Sequence, residues 1–188
     1  MDTLDNPNRI IDPSGVSYQR LAFQHGAYAA LIIIVIGLIT NLTGINDPTN
    51  PQTAVTWTIN LLTWGVMVAF IVMAVKKHRE EDLGGYITFG RAFGVSFLVI
   101  LALSVISAIW TYVYFAFIDP ELIGKIMEGS LAKNGMDADQ AEAMMENMKW
   151  MFSPGFFTGT VFLGSLFIGA IISLIVSLVM KKDAPGQI

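Results

Sequence analysis

The chain has no cysteine, which excludes a disulfide framework, thiolate chemistry and any cysteine-ligated metal. Charge is scarce as well. Only 14% of the 188 residues are charged against 54% hydrophobic, whereas soluble domains carry about 25% charged residues. Histidine occurs twice, at His25 and His78. There is no H-E-x-x-H, no G-x-S-x-G and no pair of aspartates within an apolar run. No nucleophile–base pair and no metal-ligand set can be assembled from what remains. The expectation is therefore a non-enzyme with no catalytic residues, no metal and no cofactor.

Four long runs are almost free of charge, over about residues 21–43, 54–75, 90–118 and 155–180. Arg91, at the mouth of the third, is the exception. Each exceeds the roughly 20 residues that cross a bilayer core, and backbone groups in lipid must be satisfied inside the segment. The fold class is all-α: a polytopic membrane protein of four transmembrane helices. The first run is too long for a secretory core and is not framed by a short basic region or an A-x-A site, so it reads as retained. The spans form a membrane domain over 21–182, between a partly disordered tail (1–20) and a short tail (183–188).

Eight of the eleven basic residues lie in the first tail, the second connection and the last tail: Arg9, Arg20, Lys76, Lys77, Arg79, Arg91, Lys181 and Lys182. With four spans these regions share one side. The positive-inside rule makes both termini cytoplasmic and predicts a multi-pass membrane protein.

The long outer loop, 119–154, carries helix punctuation. Asp119-Pro120-Glu121 reads as a start and Asn134-Gly135 as a stop. Asp137 to Gln140 reads as a capping box opening a second helix, which Ser153-Pro154 halts. Its apolar stripe is Ala141, Met144, Met145, Met148, Met151 and Phe152, opposite Glu142, Glu146 and Lys149. Thioethers suit Cu(I), and Met127, Met136, Met144, Met148 and Met151 raise that reading. Without His or Cys beside them, adaptable packing is the preferred account. The loop is thus a short amphipathic helical hairpin with an acidic outer face.

GYITFGRA, residues 85–92, sets Gly85 and Gly90 at phosphate-loop spacing. Bulky Tyr86, Ile87 and Phe89 fill the turn, Arg91 replaces the lysine and Ala92 the magnesium-binding hydroxyl. Neither nucleotide nor nucleic acid is expected as a partner. Thr88 is expected to cap the third helix. Arg91 is expected to act as an inside anchor, with anionic-lipid contact by Thr88, Arg91, Lys76, Lys77 and Arg79 as the alternative. His78, in KKHRE, reads as a solvated residue, and His25 as an interfacial hydrogen-bonding one.

Helix association without a hydrophobic drive needs small residues. Ser165, Gly169, Ser173 and Ser177 recur every four residues on the last span. Gly155/Gly159, Ala22/Gly26/Ala30 and Gly90/Gly94 repeat the spacing. These are candidate packing positions, within the chain or against another copy. Asn60, with Thr56 and Thr63, is the most polar feature of the spans, a bond between helices or a polar pathway.

The order of features carries a resemblance. GYITFGRAFG leads into the third span and WTYVYFAFIDPEL leaves it; a Met- and acid-rich capped helix follows, then SPGFF and GSLFIGAIISLIVSLVMKK. Over about residues 20 to 182 the chain resembles a family of bacterial four-span membrane proteins, the domain-of-unknown-function family numbered forty-one ninety-nine. The resemblance implies an inner-membrane protein, without catalytic residues to carry over. The functional expectation is a scaffold, accessory or envelope-associated protein working through helix and loop contacts. Its partners are then the lipid bilayer and itself or another membrane protein; the alternative is a small oligomeric transporter or channel subunit.

Overall fold

A computed structural model describes residues 15–45, 53–133, 135, 138–147 and 149–184. Four helices are long and apolar enough to cross a membrane. They are α1 (Gln19–Leu42), α2 (Thr53–Lys77), α3 (Phe89–Val113) and α6 (Pro154–Met180). A π-helical turn, His78–Asp82, prolongs α2, and another, Tyr114–Ile118, prolongs α3. Between α3 and α6 lie α4 (Leu122–Lys133), α5 (Ala138–Asn147) and the 3-10 turn Lys149–Phe152. Among the described residues there is no sheet. Ile87 and Lys182 form an isolated bridge, each N–H bonding the other's carbonyl at 2.9 Å.

The helix starts follow from local chemistry. Thr88 Oγ1 accepts from the Arg91 amide at 3.4 Å, capping α3. Ser153 Oγ accepts from the Phe156 amide at 3.3 Å, with Pro154 at the first helical position. Ser153-Pro154 therefore opens the last span as well as closing the loop before it, because a proline at N1 gives up an amide that would have no partner anyway. α4 begins at Leu122, three residues beyond its expected cap Asp119. Gly135, with φ +77°, follows α4. Asn134, Met136, Asp137 and Met148 lie outside the described residues, and so does the capping-box cap with them.

α3 is the central helix. It packs against α1, α2 and α6, most extensively against α6 and α1, and buries Ala92, Val95, Ser96, Val99, Ile100, Ala102, Leu103 and Ser104. α1 meets it with Ala22, Gly26, Ala29 and Ala30, and α6 with Gly169, Ser173, Val176 and Ser177. Most of these are small, as close backbone approach in lipid requires. α2 joins unevenly: its buried residues Met67, Ile71, Ala74 and Val75 sit in the half nearer Lys77, and none of residues 54–66 is buried.

The chain enters α1, crosses from α2 to α3 and leaves α6 at one end of the bundle, here termed the basic end. At the opposite, capped end lie α4 and α5. On α4, Lys125 Nζ stands 3.1 Å from Glu121 one turn back. That hydrogen bond, followed by the carboxylate's charge, raises the lysine pKa above its ordinary value of 10.5.

Candidate functional site

At the basic end the sequence converges on a buried polar knot. The π-helical turn carries α2 past Lys77 and swings His78 inward, where its side chain is fully buried. The reading of His78 as solvated is corrected here. The run KKHRE has one face that is not solvated, because α3 and the segment before α1 close over it.

Nδ1 of His78 lies 2.8 Å from Asp82 Oδ2, one turn on. Arg91 Nε donates to His78 Nε2 at 3.1 Å. A guanidinium can only donate, so Nε2 must accept and the ring hydrogen sits on Nδ1, facing Asp82. Arg91 Nη2 also donates to the Val16 carbonyl, and its guanidinium lies 4.7 Å from the centre of the Tyr18 ring. Tyr18 meets His78 edge-on at 5.7 Å. One arginine thereby ties three separate segments: the residues before α1, the α2–α3 connection and α3 itself.

Neighbouring bonds brace the knot. Arg79 Nη1 donates to the Met180 carbonyl at 3.2 Å, and the Gly85 amide returns to the Arg79 carbonyl at 2.7 Å. Gly85 takes φ +95°, a conformation suited to glycine, and Lys182 sits 5.2 Å over the Tyr86 ring. Of the two glycines that imitated a phosphate loop, Gly85 is thus a turn former in a connection bonded to the end of α6, and Gly90 lies in the first turn of α3. Chemically, an Asp–His pair could serve a base, but the nitrogen that would take a proton is occupied by Arg91. The arrangement fastens segments together.

The expected site residues divide by where the fold puts them. Arg91 makes its bonds inside the chain, and Arg79 pairs with Glu80 at 3.0 Å besides Met180. Lys76 is exposed, Lys77 reaches Glu81 at 3.8 Å, and Thr88 acts as the α3 cap. His25 Nδ1 lies 2.8 Å from the Leu21 carbonyl of its own helix.

Among the small residues, a methyl on Gly26 would collide with the Val99 carbonyl and lie 2.7 Å from Ala102 Cβ. One on Gly169 would overlap Ile100 Cγ2. Ser165 Oγ donates to Ser104 Oγ at 2.9 Å, and Ser177 Oγ lies 3.4 Å from Ser96 Oγ. Ala22, Ala30, Ser173 and Ser177 are fully buried. The stripe on α6 therefore faces α3 within the chain. Gly94 faces the Tyr18 hydroxyl, while Gly90, Gly155 and Gly159 have open space where a side chain would stand.

On α2, Asn60 is exposed, and the Thr63 hydroxyl donates to its carbonyl at 2.9 Å. Thr56 and Thr63 are half-buried beside it. Of the loop methionines, Met127, Met144 and Met151 are half-buried. Among the described residues, no group of three His, Asp or Glu side chains is placed to hold a metal.

Comparison with known proteins bears on the whole of this arrangement. The family described as "Protein of unknown function (DUF4199)" matches residues 24–182, from the first span through the Ile87–Lys182 bridge. The chain belongs to this family. The DUF4199 match encloses all four spans apart from the first turn of α1. It also takes in His78, Asp82 and Arg91, but not Val16 and Tyr18, which complete the knot from outside the matched range. No curated protein and no solved structure matches the chain.

The sequence reading passed over His78, Asp82 and Tyr18 as a set. A signal existed in the i, i+4 spacing of His78 and Asp82, which sets them on one helical face. The closure by Arg91, thirteen residues away, depends on the turn between them.

Proposed function

We propose that this membrane protein is a non-enzymatic scaffold or accessory subunit that works by lateral helix contact. Its basic end, with both termini, would face the cytoplasm from the inner membrane, by the distribution of Lys and Arg. The observation that carries the reading is the half of α2 toward the capped end. None of residues 54–66 is buried, and Asn60 stands exposed between Trp57 and Trp64, which are 56% and 42% exposed.

Sixteen residues separate Asn60 from Lys76, about 24 Å along a helix, which keeps the asparagine within a hydrocarbon core about 30 Å thick. Its carboxamide has no hydrogen-bond partner among the described residues. A polar group at that depth gains from a partner on another helix, so a second copy or another membrane protein is the expected neighbour. The knot supports the same reading: it holds the basic end rigid while the opposite half of α2 stays available. As a channel subunit the chain would need a polar stripe, yet Thr58 and Thr63 bond carbonyls of their own helix.

Association measured by energy transfer between labelled copies in nanodiscs, and by capture from detergent-solubilised membranes, tests the proposal. Asn60→Leu is expected to weaken association about three- to thirty-fold, the range spanned by interhelical bonds in lipid. A wild-type chain that neither self-associates nor retains a membrane partner would sink it.

A further inference from the structure

Beyond the exposed half of α2, the capped end contains a cavity of about 320 Å³ among α1, α3, α4 and α6. No residue of α2 lines it, and no charged residue does. Its apolar wall includes Ile33, Leu38, Trp110 and Ile126, the last contributed by α4 from the loop. The polar lining is concentrated. Ser107 and Thr111 stand one turn apart on α3 and Tyr114 follows in the π-helical turn that prolongs it, with Asn41 across from them on α1.

The state of these groups points to a ligand. Ser96 bonds a carbonyl one turn back, that of Ala92, at 2.8 Å, and Ser177 does the same to Ser173. Ser107 and Ser173 do not: the Oγ of each is buried without a partner among the described residues, and of the two it is Ser107 that lines the cavity. The Thr111 hydroxyl makes no bond among the described residues either. Asn41 Nδ2 makes a long contact of 3.5 Å to Tyr114 Oη, leaving the tyrosine hydrogen and the amide oxygen unused. A buried hydroxyl without a partner is costly, and Ser107 in that state, with Thr111 and Tyr114 on the same stripe of the cavity, describes a place for an oxygen-rich group.

We propose that the cavity binds a neutral, single-chain lipid with an uncharged oxygen-bearing head of the monoacylglycerol class. Its hydroxyl and ester oxygens lie along Ser107, Thr111 and Tyr114, and its chain leaves between the helices into the bilayer. The stripe spans about 10 Å, long enough for a glycerol ester and too long for one hydroxyl. A carboxylate or phosphate head is disfavoured because no cation lines the space to offset its desolvation.

The test uses the full chain in phosphatidylcholine nanodiscs, with Trp57, Trp64 and Trp150 changed to Phe so that Trp110 reports alone. The probes are 11-bromoundecanoyl glycerol, 11-bromoundecanoate and 1-bromoundecane, each followed by quenching of Trp110. The glycerol ester is expected to quench saturably, at least ten-fold more tightly than the other two. Gly37→Leu is the steric test, since Gly37 lines the cavity and a side chain there meets nothing within 4 Å. It should abolish saturation while leaving the thermal midpoint unchanged or higher. Ser107→Val, similar in size, should weaken the glycerol ester about five-fold without altering partition of 1-bromoundecane. Should Gly37→Leu fail to fold, Ser107→Val decides alone. Quenching that is linear in probe, or equal for all three probes, or unchanged in Ser107→Val, overturns the proposal and leaves bulk lipid chains as the occupant.

Discussion

Gly26→Ala is expected to destabilise the folded chain by about 3 kcal/mol, although alanine is the better helix former by about 1 kcal/mol. The added methyl meets the Val99 carbonyl oxygen, Ala102 Cβ at 2.7 Å and the Leu103 amide at 3.1 Å. Two of these are backbone, which cannot rotate away, so α1 and α3 must separate along their length. Separation loosens the contacts of Ala22, Ala29 and Ala30 with the central helix. Gly169→Ala is milder because its obstacle is the Ile100 side chain, and about 1–3 kcal/mol is expected. Gly159→Ala supplies the opposite sign: with open space around it, the propensity gain of up to about 1 kcal/mol should appear undiminished. Reversible unfolding in mixed micelles, run on all three, checks the order. Equal effects at Gly26 and Gly159 would remove the close α1–α3 approach from the account.

That contrast also shows what spacing can report in a membrane chain. The four spans, the Thr88 cap and the start of α6 at Pro154 were legible because they depend on hydropathy and on local hydrogen bonds. The direction each helix faces was not, since the lipid side and the protein side are both apolar and no amphipathic period separates them. Small residues are the remaining signal, and it is ambiguous. Gly26 and Gly169 lie at helix contacts, whereas Gly155 and Gly159 carry the same spacing and line an open groove of about 510 Å³ with Val105, Ile109 and Phe162.

The exposed half of α2 was illegible for a related reason. Asn60 announced a polar need in the bilayer, but nothing local said whether α1, α3 or another chain would meet it. The cavity beside Ser107 was hidden too, because Ile126 reaches it from α4, nineteen residues further along the chain and beyond a π-helical turn. His78 failed differently. Flanked by Lys76, Lys77, Arg79 and Glu80, it has the composition of a solvated run, and tertiary closure by Arg91 and Tyr18 overrode that local signal.

That closure makes the second large prediction. Arg91→Leu keeps the bulk of the arginine stem but withdraws the donors to His78 Nε2 and to the Val16 carbonyl. His78 is fully buried, so its nitrogen cannot turn to water, while Val16 is partly accessible. A buried acceptor left unmade costs about 1–3 kcal/mol, and the two together should cost about 2–4 kcal/mol. The segment before α1 loses its tie at the same time, so protease cleavage near Val16 should quicken. Arg91→Lys should fall between, because an ammonium on a flexible stem lacks the planar fork that serves both acceptors while lying on Tyr18. The decisive variant is the double one. His78→Phe alone strands the Arg91 Nε donor, but in the Arg91→Leu background it removes the orphaned acceptor and fills the same space with an apolar ring. Asp82, whose side chain is 36% exposed, can then turn to water. The double variant should therefore be less destabilised than the two single losses added together, with a coupling of about 1–3 kcal/mol. Strict additivity would mean that arginine and histidine act independently, and the basic end would then be held by helix packing alone.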